Sequence, residues 1–242
     1  MPGRTSVFSG QKRFISGGGY SDSYMVYVRL SEQKGAKGIG GIVIEKDSPG
    51  FTFGKQEVFM GLHGMPSCDL IFEDCIVPKE NLIIPEGGFI FLMQAFDVER
   101  CGNATMSLGI AWGALEAAKK YAQERKAFGK PICEFQGVQF LLADMSMKVE
   151  AARLLIYRAA VNAGSGHPSV FESSVAKCFA NEIGKEVTDM AIQVFGGYGY
   201  SKEYPIERML RDSRGLPVAG GTVQIQRINI AGAMLGRRFS QR

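Results

Sequence analysis

Asp97, Glu99 and Arg100 stand together in a stretch that is otherwise almost wholly apolar, GGFIFLMQAFDVERCGNATMSLGIAWGAL, residues 87–115. Three ionisable groups on an apolar helix are costly unless they meet partners or line a cavity. Burial also pushes a carboxylate toward the neutral range, which suits a group that must take a weakly acidic proton. Glu99 is therefore a candidate general base. A plainer reading of the same residues is a local ion cluster, or a buried salt bridge to Arg208, Arg211 or Arg214, and spacing alone leaves both open. Two further segments, ERKAFG with Arg125 and Phe128 and QVFGG with Gln193, Gly196 and Gly197, have plain readings of their own. Taken alone, Arg125 reads as a helix-terminal charge and the glycine pair as a helix C-cap. Thr222, before the last apolar helix, reads most simply as an N-cap. His63 and His167 fall in loop-like segments, and neither stands out as a base or ligand.

The elements that must hold these residues differ between the two halves of the chain. Up to about Ile83, short β-type runs (VFSG, KRFIS, YMVYVRL, GIGGIVIE, FTFGKQEVF, CDLIFEDCIV) alternate with glycine, serine and proline, as in antiparallel strands joined by turns. From about Gly88 the apolar residues recur at helical spacing, predicting long helices near 88–126, 134–164 and 170–196, with shorter ones after them. The GSGHPS segment has the chemistry of a connection, with Pro168 and Ser169 placed to open a helix. The first long helix is apolar on nearly every face, which predicts a place in the middle of a bundle, with Trp112 in the core. The division expected is 1–84 for the β-domain and 85–242 for the helical domain.

With 242 residues, 45% of them hydrophobic, the chain can bury a substantial core. Its net charge of +4 comes from 28 basic and 24 acidic residues with no long run of one sign, which argues against a nucleic-acid or membrane surface. Five widely spaced cysteines without a CxxC pair argue against a disulfide framework and a zinc site, and fit a reducing compartment. No membrane span, signal peptide or metal site is expected.

QKRFISGG, VIEKDSPGFTFG, LIFEDCIVP, FDVERCGNA, YAQERKAFGKPI, FQGVQFLLADM, QVFGGYGYSKEYPIERMLRD and GGTVQIQR occur in an order and spacing that resemble the acyl-CoA dehydrogenase family over essentially the whole chain. The resemblance implies an α+β protein, an incomplete antiparallel β-barrel-like domain followed by an up-down four-helix bundle. It also implies FAD in the cleft between them and across a subunit interface. Phe14 and Ser16 would lie against the isoalloxazine, although an FIS triplet is by itself an ordinary strand. Arg125, Phe128, Gln193, Gly196 and Gly197 would reach the FAD of the neighbouring subunit, as would Thr222 and Gln224. Phe96, Asp97 and Arg100 would meet the acyl-CoA. Most members carry a catalytic glutamate where this chain has Gly220. Isovaleryl-CoA and long-chain members resemble it in having glycine there and the base on the long helix, in the ER pair that aligns with Glu99 and Arg100. The implied reaction is α,β-dehydrogenation of an acyl-CoA, with Glu99 as base and the Gly220 N–H donating to the thioester carbonyl. An electron-transfer flavoprotein is the implied electron acceptor. The implied assembly is a homotetramer or dimer of dimers, in the cytoplasm or, in a eukaryote, the mitochondrial matrix. Complete members carry an N-terminal helical domain ahead of the point where this chain begins, so a truncated, catalytically inactive module that assembles with a partner stands beside the enzyme; a reductase, oxidase or other acyl-CoA modifier on the same scaffold is a third reading, since direction depends on redox poise and partner.

Overall fold

A computed structural model describes residues 5–237 and residue 239. The chain divides into two compact units, one ending at Met93 and the other beginning at Gln94. The boundary lies inside the first long helix, past the division at 84 that the sequence suggests.

The first unit contains two three-stranded antiparallel sheets. In one, β1 (Thr5–Ser16) and β4 (Phe51–Gln56) flank β5 (Ser67–Pro78); in the other, β2 (Ser23–Arg29) and β6 (Leu82–Ile84) flank β3 (Ile39–Glu45). Among the described residues the strands form no closed barrel. Alternation sets the core: Tyr24 and Val26 on β2, Ile42 and Ile44 on β3, and Leu70 and Phe72 on β5 all point inward. The VFSG and KRFIS runs belong to the single strand β1. Its pairing with β5 shifts register between Phe8 and Gly10 and again between Lys12 and Ile15. The second shift contains Phe14, which has a φ of 57°. A bulge of this kind re-aims a side chain, and Phe14 is turned outward, 59% exposed.

The second unit is helical. The long helices are α1 (Phe89–Glu124), α2 (Gln136–Ala163) and α3 (Val170–Phe195); α4 (Ile206–Gly215) and α5 (Val223–Met234) complete the set. Between α1 and α2 a small hairpin, β7 (Lys126–Ala127) and β8 (Lys130–Pro131), turns through Phe128 and Gly129, both at positive φ. The helices pack along stripes of small residues. Ala104, Leu108, Ala111, Leu115, Ala118 and Ala122 on α1 repeat at alternating four- and three-residue steps, and all are buried against α2 and α3. Alanine at these positions lets the helix axes come close. Ser169 caps α3 by accepting from the Glu172 N–H at 3.1 Å.

One expectation fails here. Helix α1 is not enclosed by the chain: Phe91, Val98, Met106 and Trp112 are 70%, 51%, 55% and 44% exposed. Only one stripe of α1 meets α2 and α3, so the apolar residues on its other side remain on the surface of the chain. Helix α2 likewise carries Phe140, Met147, Leu154 and Val161, seven residues apart, on its exposed side.

Candidate functional site

The candidate site is built around the segment between α4 and α5, residues 216–222, whose carbonyls are turned into the helical unit. Leu216 O accepts from Asn181 Nδ2 of α3 at 3.3 Å and, at 3.5 Å, from Asn103 Nδ2 of α1. Ala219 O and Gly220 O both accept from Lys177 Nζ of α3, at 2.6 and 2.5 Å. Gly221 O accepts from Gln226 Nε2 at 2.9 Å. All four donor side chains are buried, and Asn181 is itself fixed by Ser107 Oγ at 2.5 Å. Buried polar groups without partners destabilise, so these bonds tie the segment's path to three helices.

Gly220 lies at the centre. Its φ of 59° is the left-handed conformation that glycine adopts at least cost. A Cβ built there would stand 2.7 Å from Glu99 Oε1 and 3.1 Å from Lys177 Nζ. The Glu99 carboxylate therefore fills the space into which a side chain at 220 would begin to grow. A side chain at 220 would have to displace the flexible ends of Glu99 and Lys177. The two positions are distant in sequence and adjacent in space.

The ionisable groups of α1 separate in a way their spacing does not reveal. Asp97 is buried and accepts from Arg100, its ion-pair partner, and from Ser173 Oγ at 2.8 Å. The ion cluster that competed with a catalytic reading of α1 is thus real, but its members are Asp97 and Arg100. Glu99 is exposed and makes no hydrogen bond or ion pair among the described residues; Arg208, Arg211 and Arg214 do not reach it. The expectation that Glu99 is buried among apolar residues is not met within this chain. Arg100 Nε is buried without a hydrogen-bond partner among the described residues. Phe96, one turn before, is half-buried.

The second candidate group gathers at the far end of α1 and α3. A cleft of about 550 Å³ is lined by Tyr121, Arg125, Gln193, Gly196, Gly197 and Tyr198, among others. Arg125 lies 5.7 Å from the centre of the Tyr198 ring, a cation–π contact that holds the guanidinium at the cleft wall. Gly196, with a φ of 59°, is the C-cap of α3 and donates to Gln193 O. A Cβ on Gly196 or Gly197 would meet nothing within 4 Å. Phe128 does not line the cleft; it stands at the hairpin tip, 96% exposed, edge-on to Phe135 at 6.1 Å. Thr222 caps α5, its hydroxyl oxygen accepting from the Ile225 N–H at 3.4 Å, and Gln224 is exposed in the first turn.

In the β-unit, Phe14 is presented by its bulge and packs at 6.2 Å against Phe59. Ser16 is exposed opposite Ser67. The anchor of this corner is a residue that sequence reasoning passed over. Asp69 is 7% exposed and accepts from Gln11 Nε2 at 2.8 Å and the Phe14 N–H at 3.3 Å, and pairs with Arg13 at 3.1 Å. A charge inside the apolar run CDLIF was the available signal. Lys177 was also missed, although its place on the core stripe of α3, between Ser173 and Ala180, marks a lysine where packing calls for a small or apolar residue.

Whether these residues suit a flavin dinucleotide rests on their chemistry. The cleft has an arginine fork, an amide side chain and glycine backbone with open space where Cβ atoms would be, which fits a pyrophosphate. The exposed Phe14 fits an aromatic ring system.

The family model described as acyl-CoA dehydrogenase, C-terminal domain, matches residues 86–235, and that for the acyl-CoA dehydrogenase middle domain matches residues 2–75. A short-chain-specific acyl-CoA dehydrogenase of Megasphaera elsdenii is 43% identical over 232 residues, covering 96% of this chain and 61% of its own length. A 3-sulfinopropanoyl-CoA desulfinase of Paraburkholderia xenovorans is 44% identical over 245 residues, 99% of this chain and 63% of that protein. A chain in the solved structure described as the electron transferring flavoprotein of Acidaminococcus fermentans superposes with a TM-score of 0.92 at 44% identity, covering 97% of this chain and 62% of that one. The chain thus spans about three-fifths of the length of the curated relatives it matches.

Proposed function

The chain belongs to the acyl-CoA dehydrogenase family, and from that premise we propose that it is the catalytic portion of a flavin-dependent enzyme that converts an acyl-CoA thioester to the 2-enoyl-CoA. One observation supports this above the others: the Glu99 carboxylate stands where a side chain at Gly220 would begin, 2.7 Å from the Cβ position. A base relocated from the loop to the long helix would act from the same place.

FAD, when bound, supplies the acceptor for the hydride that leaves the β-carbon. Phe14 and Ser16 would hold its ring, and Arg125, Phe128, Gln193, Gly196, Gly197, Thr222 and Gln224 its remaining parts, those contacts coming from a neighbouring copy. Glu99 takes the α-proton; its exposure in the isolated chain leaves it open to a bound thioester. As the proton leaves, negative charge develops on the thioester oxygen. The Gly220 N–H, which meets no acceptor among the described residues, can donate to that oxygen. A preorganised donor of this kind contributes about 3 kcal/mol to the transition state. Arg100, Phe96 and the Asp97 that orients Arg100 would line the acyl-CoA path. The electron acceptor would be an electron-transfer flavoprotein and the assembly a homotetramer or dimer of dimers, which would cover the apolar sides of α1 and α2. Residues 1–84 would be the remainder of the middle domain and 85–242 the helical domain. The free cysteines fit the cytoplasm; no described helix is long and apolar enough to cross a membrane.

The test is the absorption spectrum of the FAD-loaded protein under anaerobic titration with acyl-CoA thioesters, short chains first, beside a Glu99→Gln variant. Bleaching by one thioester that the variant abolishes supports the reading. Undiminished bleaching in the variant removes Glu99. The relative named as a desulfinase supports a second reading, an acyl-CoA modification other than dehydrogenation; it predicts that a thioester is consumed while the flavin stays oxidised.

A further inference from the structure

Lys177 has no exposed surface, yet among the described residues no carboxylate lies within ion-pair distance of its ammonium. Burying a cation whose nearest carboxylate, that of Glu99, stands beyond ion-pair distance costs stability. Desolvation lowers the pKa of Lys177 to about 8; the Glu99 carboxylate opposes that shift, and Arg100, also on α1, adds to it. Its partners are two consecutive carbonyls, Ala219 O and Gly220 O. If tying down the loop were all that was needed, a neutral amide would serve at lower cost, as Asn181 and Gln226 do for the carbonyls on either side.

What the ammonium adds is charge, and its effect reaches the far side of the peptide. A trans peptide group holds its C=O and N–H pointing in opposite directions, and there is no cis bond among the described residues. With the Ala219 carbonyl turned inward to Lys177, the N–H of the same peptide, that of Gly220, is turned the other way. A cation at the carbonyl end draws electron density through the amide and makes its N–H a stronger donor.

We propose that Lys177 is a positioning residue for the reaction: its ammonium orients and polarises the Ala219–Gly220 peptide so that the Gly220 N–H binds the developing oxyanion of the thioester. This rests on the dehydrogenase reading given above and assigns a role to a residue that touches neither substrate nor flavin.

The experiment compares the FAD-loaded protein with its Lys177→Gln and Lys177→Met variants, using an acyl-CoA labelled with carbon-13 at the thioester carbonyl. In the unaltered protein the bound carbonyl stretch moves to lower frequency than that of the free thioester. In Lys177→Met most of that displacement is lost, thioester affinity changes less than about twofold, and flavin reduction at saturation slows about tenfold, a fraction of the effect of deleting a donor outright. Lys177→Gln, which can restore the hydrogen bonds without the charge, keeps the loop in place and still loses displacement. An unchanged stretch in either folded variant overturns the proposal while leaving the dehydrogenase intact. No displacement in the unaltered protein overturns both. Should neither variant fold, the unaltered protein carries the test, since labelling carbonyl carbons of alanine and amide nitrogens of glycine isolates three Ala–Gly pairs, one of them Ala219–Gly220. Both signals of that pair should shift together as Lys177 loses its proton near pH 8; a Gly220 amide indifferent to that titration overturns the proposal.

Discussion

Gly220 in the loop and Gly197 in the cleft are the same small residue for different reasons. At Gly220 the chain itself dictates the glycine, because a φ of 59° strains any other residue and the ends of Glu99 and Lys177 crowd the Cβ position. Gly196, a helix cap, shares that φ, but a Cβ at it or at Gly197 would meet nothing within 4 Å, and at Gly197 the backbone makes no demand for glycine either. The first region has its carbonyls bound by buried donors from three helices; the second consists of exposed groups held by a ring contact and a helix cap. Proton abstraction needs a base and an oxyanion donor fixed before the substrate arrives. Gripping a long dinucleotide needs only accessible groups whose final positions form on binding.

The strongest challenge to this contrast is Glu99→Gln, expected to lower anaerobic flavin reduction by about three orders of magnitude with little change in melting temperature. The exchange Glu99→Gly with Gly220→Glu sharpens it, since returning the carboxylate to the loop should recover activity that each single change loses. Next comes Gly220→Ala, where the new Cβ meets Glu99 and Lys177 at a positive φ. A loss of about 1–2 kcal/mol in denaturant unfolding and a slower reduction step are expected. An alanine there as stable and active as glycine would break the contrast.

Lys177 provides a pH signature. Its folded pKa, about 8, lies below the usual 10.5, so between those values the unfolded chain binds more protons than the folded one. Stability attributable to this group therefore rises as pH goes from about 8 to about 10.5. Denaturant midpoints of the unaltered protein minus those of Lys177→Met should climb over that window; a flat difference would place the lysine in contact with water. Thr222→Ala should remove about 1 kcal/mol through loss of the α5 cap. The smallest effect belongs to the second region: Gly197→Ala should change unfolding by less than about 0.5 kcal/mol while weakening FAD retention. A large loss of stability there would mean that the two glycines are alike after all.

Much of this was legible in the sequence. The helices 88–126, 134–164 and 170–196 fall within two residues of α1, α2 and α3, because Gly87, Phe135 and Ser169 precede long runs at helical period and Arg125, Gly164 and Gly196 follow them. Thr222 as a cap was legible too, since capping is local. The surface position of Trp112 was not, because an apolar residue on a helix looks the same whether its own chain or another surface covers it. Nor was the separation of Asp97 from Glu99. They are two residues apart, but a helix turns them about 200° from each other, so Asp97 meets Ser173 on α3 while Glu99 faces the loop. Lys177 escaped because its partners are backbone carbonyls more than forty residues away, which no side-chain pattern records.

The tethering of residues 216–222 also bears on how the chain can change in length. Surface connections ordinarily absorb insertions at little cost, and the turn from Gly164 to Ser169, exposed through most of its length, is such a place. Between Leu216 and Thr222 a single added residue would carry each carbonyl past the donor that serves it and leave several buried polar groups unsatisfied at once. Although this segment has neither helix nor strand, its spacing is as fixed as that of a core element, and length variation should accumulate elsewhere.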